Sequence, residues 1–169
     1  MARVLATRFS ARIEGDFVVF LIGMRINRPW KPWTWMPVLA AMPRMIRELQ
    51  RAGPDSGFLG HTGLGGLRMV QYWRSFAHQE RYARARDAGH WPEWVAFNRR
   101  FRDRRGEVGI WHETYLVRAG DYETLYSGMP PTGLSRAAEL VPCDRGTPSS
   151  ARERLAGGID SALPERSTR

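Results

Sequence analysis

The sequence predicts an α+β domain with the ferredoxin-like βαββαβ sandwich order. Three observations predict it. Asp16–Ile26, Leu67–Arg74 and Val108–Val117 have strand length and are rich in β-branched and aromatic residues. Trp33–Arg51 carries apolar residues at helical spacing. Gly63–Gly66, with three glycines, joins Ser56–Thr62 to Leu67–Arg74 as a hairpin. Strands and crossover helices in this order form a split βαβ sandwich, a four-stranded antiparallel sheet with helices on one face.

Each element has its own reason. Val18, Val19, Phe20 and Ile22 mark the first strand, and Asn27–Pro32 the loop after it. In the first helix, Trp35, Val38, Leu39, Met42, Met45, Ile46 and Leu49 form one stripe. Pro37 fits its first turn, whereas Pro43 predicts a kink or a break, because proline lacks the N–H the helix needs. Gly53-Pro54 stops it. Ser75 is the expected N-cap of a second helix over Phe76–Asp87. Trp91–Arg104 reads as a further helix, with Pro92 in its first turn and Trp94, Phe97, Asn98 and Phe101 on one face. In the last strand Val108, Ile110, Thr114 and Leu116 share one face, and Trp111, Tyr115 and Val117 the other. Neither face is polar, so both are expected to be buried, the second against another copy in a symmetric homodimer. Tyr122–Leu134 is too apolar to float free and is expected to wrap over the body.

Composition sets the limits. The chain has 169 residues, 43% hydrophobic and 25% charged, which suits one globular domain. The expected folded unit is 8–134. Residues 135–169 hold six arginines, five acids and no aromatic residue, and are expected to be a flexible C-terminal tail. One cysteine, Cys143, excludes a disulfide framework. No apolar run approaches the roughly 18 residues that span a bilayer, and residues 1–11 lack a signal-type apolar core. A cytoplasmic location without membrane contact is expected. The net charge is +9, and Lys31 is the single lysine. Between Arg74 and Arg105 nine arginines and four acids spread around helical faces instead of lining one. A solvated basic surface is expected there, and a nucleic-acid partner is not.

Three clusters carry candidate chemistry: Gln71–Ser75, Gly89–Trp94 and Gly109–Tyr115. His112 and Glu113 sit mid-strand among apolar residues. Being adjacent, they face opposite sides of the sheet and cannot act as a pair within one subunit. A buried histidine serves as a general base, a hydrogen-bond donor or a haem-iron ligand, or simply as a bonded core residue. His90 opens an aromatic helix turn and is either a surface residue or a group at a cavity mouth. His61 and His78 read as ordinary hairpin and helix residues. A zinc site from His90, His112 and a carboxylate has no supporting spacing. Tyr72 and Trp73 face opposite ways; most of the seven tryptophans belong in the core, with an aromatic-lined cavity as a by-product. No P-loop, GxGxxG, HExxH or GxSxG motif is present, which disfavours nucleotide cofactors and serine hydrolysis.

Asp16–Arg25, Tyr72-Trp73-Arg74-Ser75, Gly109–Tyr115 and Met129–Leu134 together resemble a monooxygenase-like family linked to the fungal fumagillin pathway. The resemblance covers about residues 8–135. It implies the dimeric α/β-barrel superfamily, in agreement with the strand order. That superfamily includes cofactor-independent monooxygenases, haem-degrading oxygenases and haem-dependent aldoxime dehydratases. The Tyr-Trp strand end and the following helix histidine resemble the small oxygenases; the His-Glu of the last strand resembles the dehydratases. The leading expectation is therefore a small monooxygenase acting on an apolar or aromatic secondary metabolite, with no cofactor required. His112, His90 and Trp73 are its expected catalytic residues. Arg25, Tyr72, Arg74, Trp111, Glu113 and Tyr115 are expected around the substrate, with Arg25 or Arg74 stabilising an anion. The alternative is a haem enzyme with His112 or His90 as axial ligand. A non-catalytic ligand-binding or regulatory module is the third reading.

Overall fold

The computed structural model describes residues 3–85, 106–144 and 146–160. In chain order the described elements are β1 (Phe9–Arg12), β2 (Phe17–Ile26), α1 (Pro32–Arg51), β3 (Phe58–Gly63), β4 (Arg68–Trp73), α2 (Phe76–Arg84), β5 (Val108–Val117), β6 (Glu139–Pro142) and α3 (Ala151–Asp160). Single 3₁₀ turns lie at Pro54–Ser56 and Gly133–Arg136. One sheet has the order β3-β4-β2-β5, with every neighbouring pair antiparallel. This is the expected ferredoxin-like arrangement, in which strands joined by a helix run parallel with a third strand between them. The helix expected over Trp91–Arg104 lies outside the described residues.

β2 and β5 pair along their whole length, from Phe17 opposite Val117 to Ile26 opposite Val108. Paired residues share a face, so the register sorts every side chain. Val18, Phe20, Trp73 and His112 face the helices. Phe17, Val19, Tyr72 and Glu113 face away.

On the helix side, Ile46 and Leu49 of α1 pack on Val18 and Trp73, with Phe20, Met42, Phe58, Met69 and Tyr82 around them. α1 continues through Pro43 instead of breaking. Pro43 lies on the solvent side, so the carbonyl left without its N–H partner is within reach of water. Ser75 caps α2 as expected, its hydroxyl accepting from the His78 N–H.

The far face departs from expectation. Phe17, Val70 and Tyr72 are covered by the chain itself, through Ala11, Ile13 and Leu134, with Tyr122, Tyr126, Ala137 and Ala138. β1 pairs with β6 as a two-stranded ribbon. The Tyr122 hydroxyl accepts from the Ile13 N–H at 2.6 Å and donates to the Ile13 carbonyl at 3.1 Å, which fixes the wrap. Two expectations are corrected. The β3–β4 half of this face has an internal cover in place of a second copy. The stretch from residue 135, read as a flexible tail, supplies β6 and α3. Its average composition hides Ala137 and Ala138, which pack on the far-face core, and Glu139–Pro142, whose backbone bonds β1 satisfies.

β5 is an edge strand, and neither of its faces is fully buried within one chain. Ile110 is 39% exposed, Trp111 38%, Tyr115 51% and Leu116 73%, against the expectation that both faces are covered.

Candidate functional site

The β2–β5 register sets His112 beside Ile22 and Glu113 beside Leu21, on opposite faces as adjacent strand residues must be. His112 is the one on the helix side. Its ring centroid lies 5.6 Å from that of Phe20, tilted by 38°. Ile110 and Thr114 flank it on the same face. The imidazole is exposed, and among the described residues its nitrogens have no hydrogen-bond partner. An imidazole on apolar carbon, with both nitrogens available, can take a proton from a bound molecule or donate a lone pair to a metal centre.

Glu113 is engaged elsewhere. It accepts the Tyr115 hydroxyl at 2.5 Å. That bond, and then the carboxylate charge, raise the Tyr115 phenol above its usual range. Trp111 lies across Gly23 on the same face, where a β-carbon at position 23 would be 2.6 Å from its indole nitrogen. Trp111, Glu113 and Tyr115 thus form an exposed row on the side away from the helices. Arg25 shares that face one step along, opposite Gly109.

The arginine role expected beside His112 is corrected. Arg25 is on the opposite face. Arg74 is tied at the Val18–Trp73 end of the sheet, its guanidinium donating to the Glu14 carbonyl at 2.6 Å. Neither can stabilise an anion formed at His112.

Trp73 and Tyr72 are core residues instead of pocket walls. Trp73 is 1% exposed, and its Nε1 donates to the Gln71 side chain at 3.1 Å. Phe58 meets its ring edge-on at 5.2 Å, and Tyr82 lies 5.7 Å away. Tyr72 is buried in the far-face core; burial, and then Tyr126, push its phenol up to about 12. Strand composition identified both as strand residues, but it does not distinguish a cavity wall from a filled core. His90 lies outside the described residues.

A hollow of about 240 Å³ does occur, at the opposite edge of the sheet from β5. It lies between the end of α1 (Leu49, Gln50, Gly53), the start of β3 (Phe58 to His61) and Arg136. The sequence reads His61 as an ordinary hairpin residue, because what turns it is a bulge. Phe58 pairs with Trp73 but Gly60 with Tyr72, so Leu59 is an extra residue. Its one local sign is Gly60, which follows the inserted residue with a φ of +155° that favours glycine.

Among the described residues no three of His, Cys, Asp and Glu gather as a metal site. No described helix is long and apolar enough to cross a membrane.

Comparison with known proteins agrees with the strand order. Two crystal structures of aldoxime dehydratases, one in complex with butyraldoxime, superpose with TM-scores of 0.59 and 0.56 at 18% and 21% identity. They cover 88% of this chain but only 42% and 43% of their own, and at that identity they establish the fold alone, the dimeric α/β-barrel type. A curated protein, Monooxygenase af470 of Aspergillus fumigatus, is 24% identical over 83% of this chain and 58% of its own length. The chain thus spans little more than half of that relative. Residues 17–134, from the start of β2 into the Gly133–Arg136 turn, match the profile of one family across most of the chain. The chain belongs to the monooxygenase af470-like family.

Proposed function

We propose that this chain is a small monooxygenase-type oxidoreductase that oxidises an apolar or aromatic metabolite on the helix side of its sheet, with His112 as the proton acceptor. The observation that carries the proposal is the placement of His112, an imidazole with unengaged nitrogens beside Phe20 on that face. Family membership supplies the reaction class. Removing a proton from an activated C–H or O–H leaves an electron-rich anion, which can itself reduce oxygen. An activated CH₂ then becomes a carbonyl; one oxygen atom enters the product and the other leaves as water. No cofactor is required for that balance.

The exposed row of Trp111 and Tyr115 is the surface assigned to a second copy of the chain. In support, the chain covers about two-fifths of each dehydratase structure, so two copies approach the length of one such chain.

The test is oxygen uptake by the purified chain with phenols and aryl-activated methylenes. His112→Ala is expected to lower the rate on the order of a hundred- to ten-thousand-fold, the usual contribution of a general base. The residue is exposed, so the variant keeps its fold. An unchanged rate removes the mechanism.

A second reading rests on the same imidazole, which would also serve as a ligand to a haem iron. Bound haem would supply a redox-active, Lewis-acidic metal; His112 would hold the iron, with Phe20 beside its imidazole. A Soret band that forms on adding haemin and shifts in His112→Ala supports this reading; a protein that leaves the haemin spectrum unaltered overturns it.

A further inference from the structure

The hollow at the β3 edge has a chemistry of its own. Leu59 is the inserted residue of a bulge, and the bulge resets the alternation of the strand. Phe58 shares a face with Trp73, and His61, three residues on, shares that same face with Gln71. In a regular strand residues three apart point to opposite sides. Here their rings stack instead, with centroids 6.1 Å apart and planes at 25°. Such bulges re-aim side chains and are common beside binding sites.

The same strand lets Arg136 approach. A β-carbon at Gly60 would lie 3.1 Å from the Arg136 carbonyl and 3.0 Å from the Ala137 β-carbon. Glycine at 60 therefore lets the Gly133–Arg136 turn sit against β3. No acidic side chain lines the hollow, and among the described residues Arg136 has no carboxylate partner. Its positive charge is felt at His61, which burial, and then Arg136, hold below the usual imidazole range. The lining thus divides in two. Leu49, Phe58 and Leu59 are apolar, while Gln50, His61 and Arg136 offer N–H donors.

We propose that this hollow binds a small single-ring carboxylate, its ring against Phe58 and its carboxylate on Arg136, His61 and Gln50. Size agrees. A cavity of roughly 150 Å³ accepts benzene, and 240 Å³ leaves room for a carboxylate beside the ring. Charge agrees, because a planar guanidinium takes a carboxylate through two parallel hydrogen bonds. This site is separate from the one proposed at His112, on the other edge of the sheet.

The experiment uses the full chain, with benzoate as probe and benzamide as its neutral counterpart. Binding is followed by calorimetry and by the ring resonances of His61. Saturable benzoate binding that shifts those resonances is expected, with benzamide at least tenfold weaker. Arg136→Gln, at an exposed position, is expected to weaken benzoate tenfold or more, whereas His112→Ala leaves it unchanged. Equal binding of benzoate and benzamide, indifference to Arg136→Gln, or loss of binding in His112→Ala each overturns the proposal.

Discussion

Trp111 occupies the space a side chain at position 23 would need, with its indole nitrogen 2.6 Å from where that β-carbon would stand. Gly23→Ala therefore displaces the indole, which is 38% exposed and can turn outward, so the cost should stay below the roughly 1–3 kcal/mol of an overpacked core. Adding Trp111→Ala should cancel most of that penalty, so denaturation of the single and double variants measures the coupling. Tyr72 gives a pH-dependent counterpart. Burial raises its phenol from 10.0 to about 12, so the folded state holds the proton more tightly than the unfolded one. Its contribution to stability is complete below pH 10 and is lost as pH rises from 10 toward 12. Tyr72→Phe should flatten the alkaline limb of the urea midpoint against pH; an unchanged limb would refute the assignment. Tyr82, raised by burial and then by Glu48, retains its own share of that limb.

At the scale of the element, α1 has two unlike halves. Its C-terminal half delivers Ile46 and Leu49, 6% and 2% exposed, to the helix-side core. Its N-terminal half leaves Met36 and Leu39 at 55% and 38% exposure. Leu49→Ala should cost about 2–5 kcal/mol, since it leaves a cavity that its neighbours only partly fill. Met36→Ala should change stability by less than about 0.5 kcal/mol, as surface positions usually do. Urea denaturation of both variants checks the asymmetry; equal costs would contradict the packing. The apolar period in the sequence runs through both halves, because periodicity shows which side of a helix is apolar, not how far along it a neighbour reaches. β5, in contrast, was legible to its ends: Val108–Val117 is both the apolar run and the strand. The bulge in β3 was not, since Gly60, whose φ of +155° accompanies it, reads in the sequence as one more hairpin glycine, and the inserted residue becomes visible only against β4.

For the molecule as a whole, the wrap over the far face binds the two ends of the described chain together. β1 is held by β6 and by Thr124, whose hydroxyl accepts from the Ala11 N–H at 2.8 Å. A chain ending at Asp144 keeps that ribbon and, among the described residues, loses the 146–150 turn and α3 with its Arg154–Glu123 pair, 2.9 Å apart. Its melting temperature should stay within a few degrees of the full chain, since a single partly exposed ion pair contributes little. A chain ending at Leu134 also loses β6, Ala137 and Ala138, which uncovers Ala11 and Tyr72. It should melt lower by more than about 5 °C, on the scale of a kcal/mol or two for a domain of this size. Similar melting of the two truncations would show that β6 adds no stability.

What the amino-acid sequence by itself determined is the four strands of the main sheet with α1 and α2, their order and the sheet topology that follows, but not β1, β6 or α3. It also determined that His112 and Glu113 part to opposite faces. These depend on local periodicity and on the geometry of a single strand, which neighbours in sequence specify. Tertiary structure alone decided which of the two faces the helices, that Trp73 and Tyr72 fill cores, that Arg25 and Arg74 stand away from His112, and that the chain covers part of its own far face. Those outcomes depend on register and on packing between segments as far apart as Ala11 and Thr124. Contacts of that range arise only when the whole apolar surface is buried together, and no short window of sequence carries them.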